Sequence, residues 1–234
     1  MPNPSSIKQL TEQSHEPLSR RLKAVIFDLD GTLTDSDKVH FRVFQDFFAE
    51  HDITLDKALY RQRISGRQNS AILADFLPQL PTAEADAFSE KKEATFRRLA
   101  KGNIKPLPGL MDFLAQLQAR QIPVAVVTNA PPENANFMLS ELGLSDAFSP
   151  IVIGDELPRG KPDPLPYQTA LDKLGLNASE AIAFEDSRAG IRSAVGAGLE
   201  TIGIMTTHSA AELIAAGATS AIANFTDAYV QSLL

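Results

Sequence analysis

The sequence predicts an α/β fold: a doubly wound parallel sheet (Rossmann-like) with a block of helices inserted after its first strand. Three observations lead there. Six short apolar runs are continuous rather than alternating, as strands covered on both faces are. Amphipathic helical segments lie between the later runs. One interval, residues 35–106, breaks that rhythm and reads as mostly helical.

In chain order, the opening stretch MPNPSSIKQLTEQSHEPLSRR has no long apolar segment. It is not a secretory signal, and residues 1–20 are expected to form a polar leader. The first apolar run, KAVIFD (23–28), opens the sheet domain, assigned to 21–34 and 107–234. In DKVHFRVFQDFFAEHD, Val39, Val43, Phe44, Phe47 and Phe48 recur at helical spacing. QNSAILADFL and SEKKEATFRRLAKG continue the helical reading, and GNIKPLPG (102–109), with two glycines and two prolines, marks the return to the sheet. In GLMDFLAQLQARQ, Leu110, Phe113, Leu114 and Leu117 share a face, and in PYQTALDKLG, Ala170, Leu171 and Leu174 do so. The remaining strands are PVAVVT (123–128), PIVIG (150–154), AIAFED (181–186), ETIGIM (200–205) and SAIANF (220–225).

Composition bounds the function. The 234 residues are 44% hydrophobic and 22% charged, which supports a sizeable core. A net charge of -7 with no basic run argues against a nucleic-acid partner. There are no cysteines, so disulfides, thiolate metal sites and cysteine nucleophiles are excluded. No segment approaches the roughly 20 apolar residues that span a bilayer, so no membrane partner is expected and the cytoplasm is the expected location.

The candidate chemistry lies at the strand ends, where ligands bind in doubly wound sheets. Asp28 and Asp30 end the first strand in DLDG, Thr128 and Asn129 follow the second, and Glu185 and Asp186 close the fourth. Four carboxylates gathered together repel one another and call for a hard cation with oxygen ligands, Mg²⁺ above all. Lys161, in RGKPDP, adds a positive charge on a proline-bound loop. A metal, a lysine, and hydroxyl and amide donors suit a phosphoryl group, whose transfer depends on positioning and charge neutralisation.

The ordered stretches DLDGTLTDSD, VVTNA, GKPDP and FEDSRAGI resemble the four motifs of the haloacid dehalogenase-like hydrolase superfamily, over residues 22 to about 205. The helical interval resembles its subclass-one cap. The resemblance implies that Asp28 is a nucleophile forming an aspartyl phosphate, and that Asp30 is the general acid and base, with its backbone carbonyl on the metal. It further implies that Thr128 and Asn129 hold the phosphoryl group, that Lys161 stabilises nucleophile and phosphate, and that Asp186 ligates Mg²⁺. Glu185 is then a second ligand or an outer acid. A dehalogenase would lack the second acid, and Asp30 argues against that chemistry.

More narrowly, DSDKVHFRVFQDFF, SGRQNSAI, EKKEATFRR, IKPLPGL and VTNAPPENA resemble the plant-type sugar-phosphate phosphatases, with β-phosphoglucomutases more distant. The mutases carry a serine and a lysine in the second motif. Thr128-Asn129-Ala130-Pro131 has no lysine, which favours hydrolysis over isomerisation. The expected substrate is a small phosphate ester, and the expected state a monomer. Substrate choice should fall to the cap (35–106), with Arg67 of SGRQNS and His40 as candidate contacts and TDSD as the hinge. Lys91 and Lys92 read as a solvated face, and His15, His51 and His208 as residues without a site role.

Overall fold

A computed structural model describes residues 22–234; the stretch read as a leader, 1–20, lies outside them, as does His15. The first strand, β1 (Ala24–Phe27), is AVIF and buried along its whole length. Its side chains alternate between two apolar layers. Val25 and Phe27 join a large cluster with Phe113, Phe148, Phe184 and Phe225, while Ala24 and Ile26 pack with Tyr167, Ala170 and Leu171. Both faces being covered, no polar position is tolerated, which is why the run is continuous.

The other strands are β2 (Val124–Thr128), β3 (Ile151–Ile153), β4 (Ala181–Glu185), β5 (Glu200–Ile204) and β6 (Ser220–Ile222). All pair in parallel, in the order β3-β2-β1-β4-β5-β6. All six expected strands form. The last is shorter than its apolar run, because the Asn224 side chain accepts from the backbone N–H and hydroxyl of Thr226 and turns the chain away.

Between β1 and β2 come α1 (Asp37–Ala49), α2 (Lys57–Arg63), α3 (Asn69–Phe76), α4 (Thr82–Ala100) and α5 (Leu110–Ala119). The first four make the helical insert and share an apolar cluster around Phe44, Phe48, Leu55, Tyr60, Ile72 and Leu77. The two crossings into and out of the insert run side by side: Leu107 N–H donates to Leu33 O at 2.9 Å, and Thr34 Oγ1 to Lys105 O at 2.8 Å. After β2 follow α6 (Pro132–Glu141), α7 (Leu165–Leu174), α8 (Arg188–Gly196), α9 (Ala210–Ala216) and α10 (Ala228–Ser232).

Topology places the site. The strand order reverses between β1 and β4, and a crevice opens beyond the carboxyl ends of those two strands. Phe27 is in register with Phe184 and with Val126. The next residue of each strand, Asp28, Glu185 and Val127, is therefore brought to the same level.

Candidate active site

Asp28 lies one residue past β1 and still pairs with the sheet, its N–H donating to Phe184 O at 2.9 Å. Gly31, three residues on, has a φ of +75°, and a Cβ there would lie 2.2 Å from Asp186 Oδ2. The DLDG turn therefore needs glycine twice, for its conformation and to let Asp186 approach. Ser187 caps α8 by accepting from Gly190 N–H, so capping does not occupy Asp186.

Lys161 reaches into the floor of the crevice and is 4% exposed. Its Nζ donates to Asp28 Oδ1 at 2.5 Å, Glu185 Oε1 at 2.6 Å and Val127 O at 2.8 Å, which uses all three of its protons. Burial alone would lower the lysine, but the charges of Asp28 and Glu185 outweigh it and hold it above its ordinary value. Asp28 is pushed well above the usual carboxylate range by burial and by Glu185, against the pull of Lys161. Asp186 is raised likewise by burial, then by Asp37, Asp28 and Glu185.

Both shifts arise first from burial and then from crowded negative charge. Asp28, Glu185 and Asp186 offer oxygens all within 4.8 Å of one another, all three residues being buried. Among the described residues, Lys161 is the one ammonium that bonds to this trio. Buried carboxylates in excess over their cations, with hard oxygen donors, fit a divalent ion such as Mg²⁺. Within the trio Glu185 is the acid already spoken for. Its Oε1 accepts from Lys161 and from Tyr167 Oη at 3.0 Å, and its Oε2 from the Ser187 N–H and Oγ. These bonds tie Glu185 to Lys161, to Tyr167 and to the start of α8.

Asp30 points toward the insert. Its Oδ1 accepts from Ser36 Oγ at 2.6 Å, a hydroxyl that leaves α1 without a side-chain cap, and contacts His40 Nε2 at 3.0 Å. On the far side of the ring, Lys92 Nζ lies 3.3 Å from His40 Nδ1. An ammonium only donates, so Nδ1 accepts, and Nε2 carries the proton given to Asp30. The ring stacks on Phe96 at 3.8 Å between centroids. Burial opposes the charge of Asp30, but His40 and Ser36 outweigh it and hold Asp30 below its ordinary value.

Asp28, Asp30, His40, Arg67, Thr128 and Asn129 all line one cleft between the insert and the sheet. Two of them are more committed than expected. Asn129 donates from Nδ2 to Gly66 O at 3.0 Å and to Lys161 O at 3.1 Å, and accepts from Lys161 N–H at 3.1 Å. It buckles the lysine loop to the insert, with both amide protons in use. Arg67 turns its guanidinium back into the insert, to Asp75 Oδ2 at 2.8 Å, Arg63 O at 2.7 Å and Ala71 O at 3.2 Å. Thr128 Oγ1 accepts from Ala130 N–H at 2.9 Å, which leaves its own proton to donate.

One expectation fails. Lys91 is exposed, but Lys92 is only 2% exposed and lines the cleft. It lies four residues from both Phe88 and Phe96, on the inward stripe of α4, and its Nζ sits 4.3 Å from the Phe44 ring centroid. That spacing was the signal that marks it. His208 is buried too: Nδ1 contacts Asp186 O at 3.1 Å and Nε2 contacts Arg61 O at 3.2 Å, so it bridges sheet and insert. Asp37 accepts from Tyr60 Oη at 2.6 Å, and the Thr207 hydroxyl, with a single proton, sits between Asp37 Oδ2 and Asp186 Oδ2, 2.7 Å from the latter. The insert thus closes over the crevice through several separate bonds. At Gly66 (φ +74°) a Cβ would meet Ser187 Oγ at 2.3 Å, so this close approach also needs glycine.

Similarity to known proteins agrees with this geometry. The family model for haloacid dehalogenase-like hydrolases matches residues 22–198. The chain is 33% identical over 191 residues to validoxylamine A 7'-phosphate phosphatase of Streptomyces hygroscopicus subsp. limoneus, covering 82% of this chain and 89% of that one. It is 30% identical over 192 residues to the β-phosphoglucomutase of Bacillus subtilis, covering 78% and 83%. Among solved structures, a CbbY mutant from Rhodobacter sphaeroides in complex with xylulose-(1,5)bisphosphate superposes with a TM-score of 0.77, at 28% identity over 88% of this chain and 96% of that one. The chain belongs to the haloacid dehalogenase-like hydrolase family.

Proposed function

We propose that the protein is a Mg²⁺-dependent phosphatase that hydrolyses small phosphorylated metabolites, sugar or polyol phosphates, through an aspartyl phosphate on Asp28. The observation that carries this reading is the Asp28–Lys161–Glu185–Asp186 cluster at the switch point of the sheet. Asp28 and Asp186, with the Asp30 carbonyl, would hold the ion. When bound it supplies charge neutralisation for the incoming phosphoryl oxygens. One relative named as a validoxylamine A 7'-phosphate phosphatase and another named as a phosphorylated carbohydrates phosphatase support the substrate class.

In this reading Asp28 Oδ attacks phosphorus while the ester P–O bond breaks, and Asp30 gives its proton to the leaving oxygen. Water then loses a proton to Asp30 and attacks phosphorus, and the Asp28–phosphorus bond breaks to release phosphate. The two steps need opposite forms of Asp30. As seen here it is held ionised by His40 and Ser36, the form that accepts a proton. An anionic phosphoryl group beside it raises its affinity for a proton, which supplies the acid form for the first step. Lys161 keeps Asp28 fixed, and Thr128 offers its hydroxyl proton to a phosphoryl oxygen.

Residues 35–106 act as the cap, with the paired crossings at 34–36 and 105–107 as the hinge. Closure excludes water and brings His40 to Asp30. The alternative is a sugar phosphomutase, the activity named for one relative. The protein is proposed to work as a cytoplasmic monomer; among the described residues, no helix is long and apolar enough to cross a membrane. A phosphate-release screen over phosphorylated metabolites with Mg²⁺ tests the reading. Free phosphate from a hexose 1-phosphate supports hydrolysis; conversion to hexose 6-phosphate without phosphate release would establish the mutase instead.

A further inference from the structure

On the cap side of the cleft stands an acid that the chemistry above does not use. Glu93, on α4, is 6% exposed and lines the cleft with Lys92, Asn69 and Asn134. Its Oε1 accepts from Lys92 Nζ at 2.7 Å and from Asn69 Nδ2 at 2.6 Å, and its Oε2 accepts from Asn134 Nδ2. Asn134 is in turn fixed by Arg97. Burial opposes the charge, yet Lys92 and these hydrogen bonds outweigh it and keep Glu93 ionised.

The consequence is a matter of charge. The cap-side lysine and arginine lining the cleft are both committed, Lys92 to Glu93, and Arg67 to Asp75 and two carbonyls. Among the described cleft residues, neither offers a second anionic group an uncommitted positive charge. Such a group would also meet the Glu93 carboxylate in a buried setting, where like charges repel strongly. A hydroxyl meets the opposite situation. A carboxylate accepts about four hydrogen bonds, and three of those at Glu93 are taken.

We infer that Glu93 is a specificity-determining residue that admits phosphate monoesters whose remaining part is uncharged and hydroxyl-bearing, and turns away those carrying a second phosphate or a carboxylate. The inference rests on the phosphatase reading. It separates this chain from the similar CbbY structure, which holds a bisphosphate.

The test is kcat/KM, with Mg²⁺, for a ketopentose 1-phosphate and the matching 1,5-bisphosphate, on wild type and E93Q, with p-nitrophenyl phosphate as a substrate lacking any second group. Wild type should prefer the monophosphate by about tenfold or more, and E93Q should raise kcat/KM for the bisphosphate by about tenfold as Lys92 is released. A damaged fold cannot produce that gain. A wild type that prefers the bisphosphate, or an E93Q variant no better at cleaving it, overturns the inference. If no ester releases phosphate, the phosphatase reading fails on its own. Calorimetric binding of the same two sugar phosphates then decides the role of Glu93: tighter bisphosphate binding to E93Q supports it, and equal affinities refute it.

Discussion

Replacing Lys161 by methionine removes the ammonium that pairs with Asp28 and Glu185 but keeps an apolar stem of similar length. Its Nζ sits 2.5 and 2.6 Å from the two carboxylates, and all three residues are buried. Breaking a buried pair by deleting one partner costs about 3–5 kcal/mol, because the remaining charge is stranded. For a chain of this size each kcal/mol moves the melting temperature roughly 2–4 °C, so K161M should melt about 6–20 °C below wild type. The mechanism makes a sharper claim. If Glu185 serves chiefly as the counter-charge of Lys161, then E185Q removes one of the two stranded acids and K161M/E185Q should melt above K161M. With its oxygen toward Ser187 the amide still accepts from that residue's N–H and hydroxyl, and its NH2 donates to Tyr167 Oη, whose hydroxyl turns to accept. Scanning calorimetry of the four proteins, without added metal, completes the cycle. A K161M melting within about 2 °C of wild type, or a double variant less stable than K161M, would refute the assignment.

Other outcomes follow from the same geometry. D28N should lose phosphate release by about a thousandfold or more while still unfolding cooperatively, since the nucleophile acts with its neighbours as a unit. Chelation of divalent ions should stop turnover and Mg²⁺ restore it; a steady-state rate unchanged in excess chelator contradicts the metal role. For Glu93 the sign is that of an acid held below its ordinary value of 4.5, so its stabilisation is present above pH 4.5 and lost as pH falls through the folded-state value. Below pH 4.5 the melting temperature of wild type should therefore fall more steeply than that of E93Q; parallel curves would show that Glu93 gains nothing from its partners.

The sheet was legible because burial on both faces leaves a local mark. Runs such as AVIF and AIAFE admit no polar residue, and the acids that end them stand out. The carboxylate cluster followed, since strand ends in a doubly wound sheet converge. Partnerships between side chains were not legible. Whether Glu185 ligates or anchors depends on Lys161 and Tyr167, and whether Asn129 is free depends on Gly66, 63 residues away. Lys92 was misread for a different reason. Its charge suggested solvent, but its register with Phe88 and Phe96 places it inward. His208, Thr207 and Asn134 gain their roles from contacts between the insert and the sheet domain, and no local pattern announces them.

The central claim is that Asp28, rather than a neighbouring acid, becomes phosphorylated during turnover. An acyl phosphate is reduced by borohydride to an alcohol, which converts an aspartate to homoserine. Wild-type protein quenched during turnover with Mg²⁺ and its best substrate should show, by peptide mass spectrometry, homoserine at position 28 and only when substrate is present. Rapid phosphate release with no homoserine at position 28, or with homoserine at position 30 or 186 instead, would contradict the account.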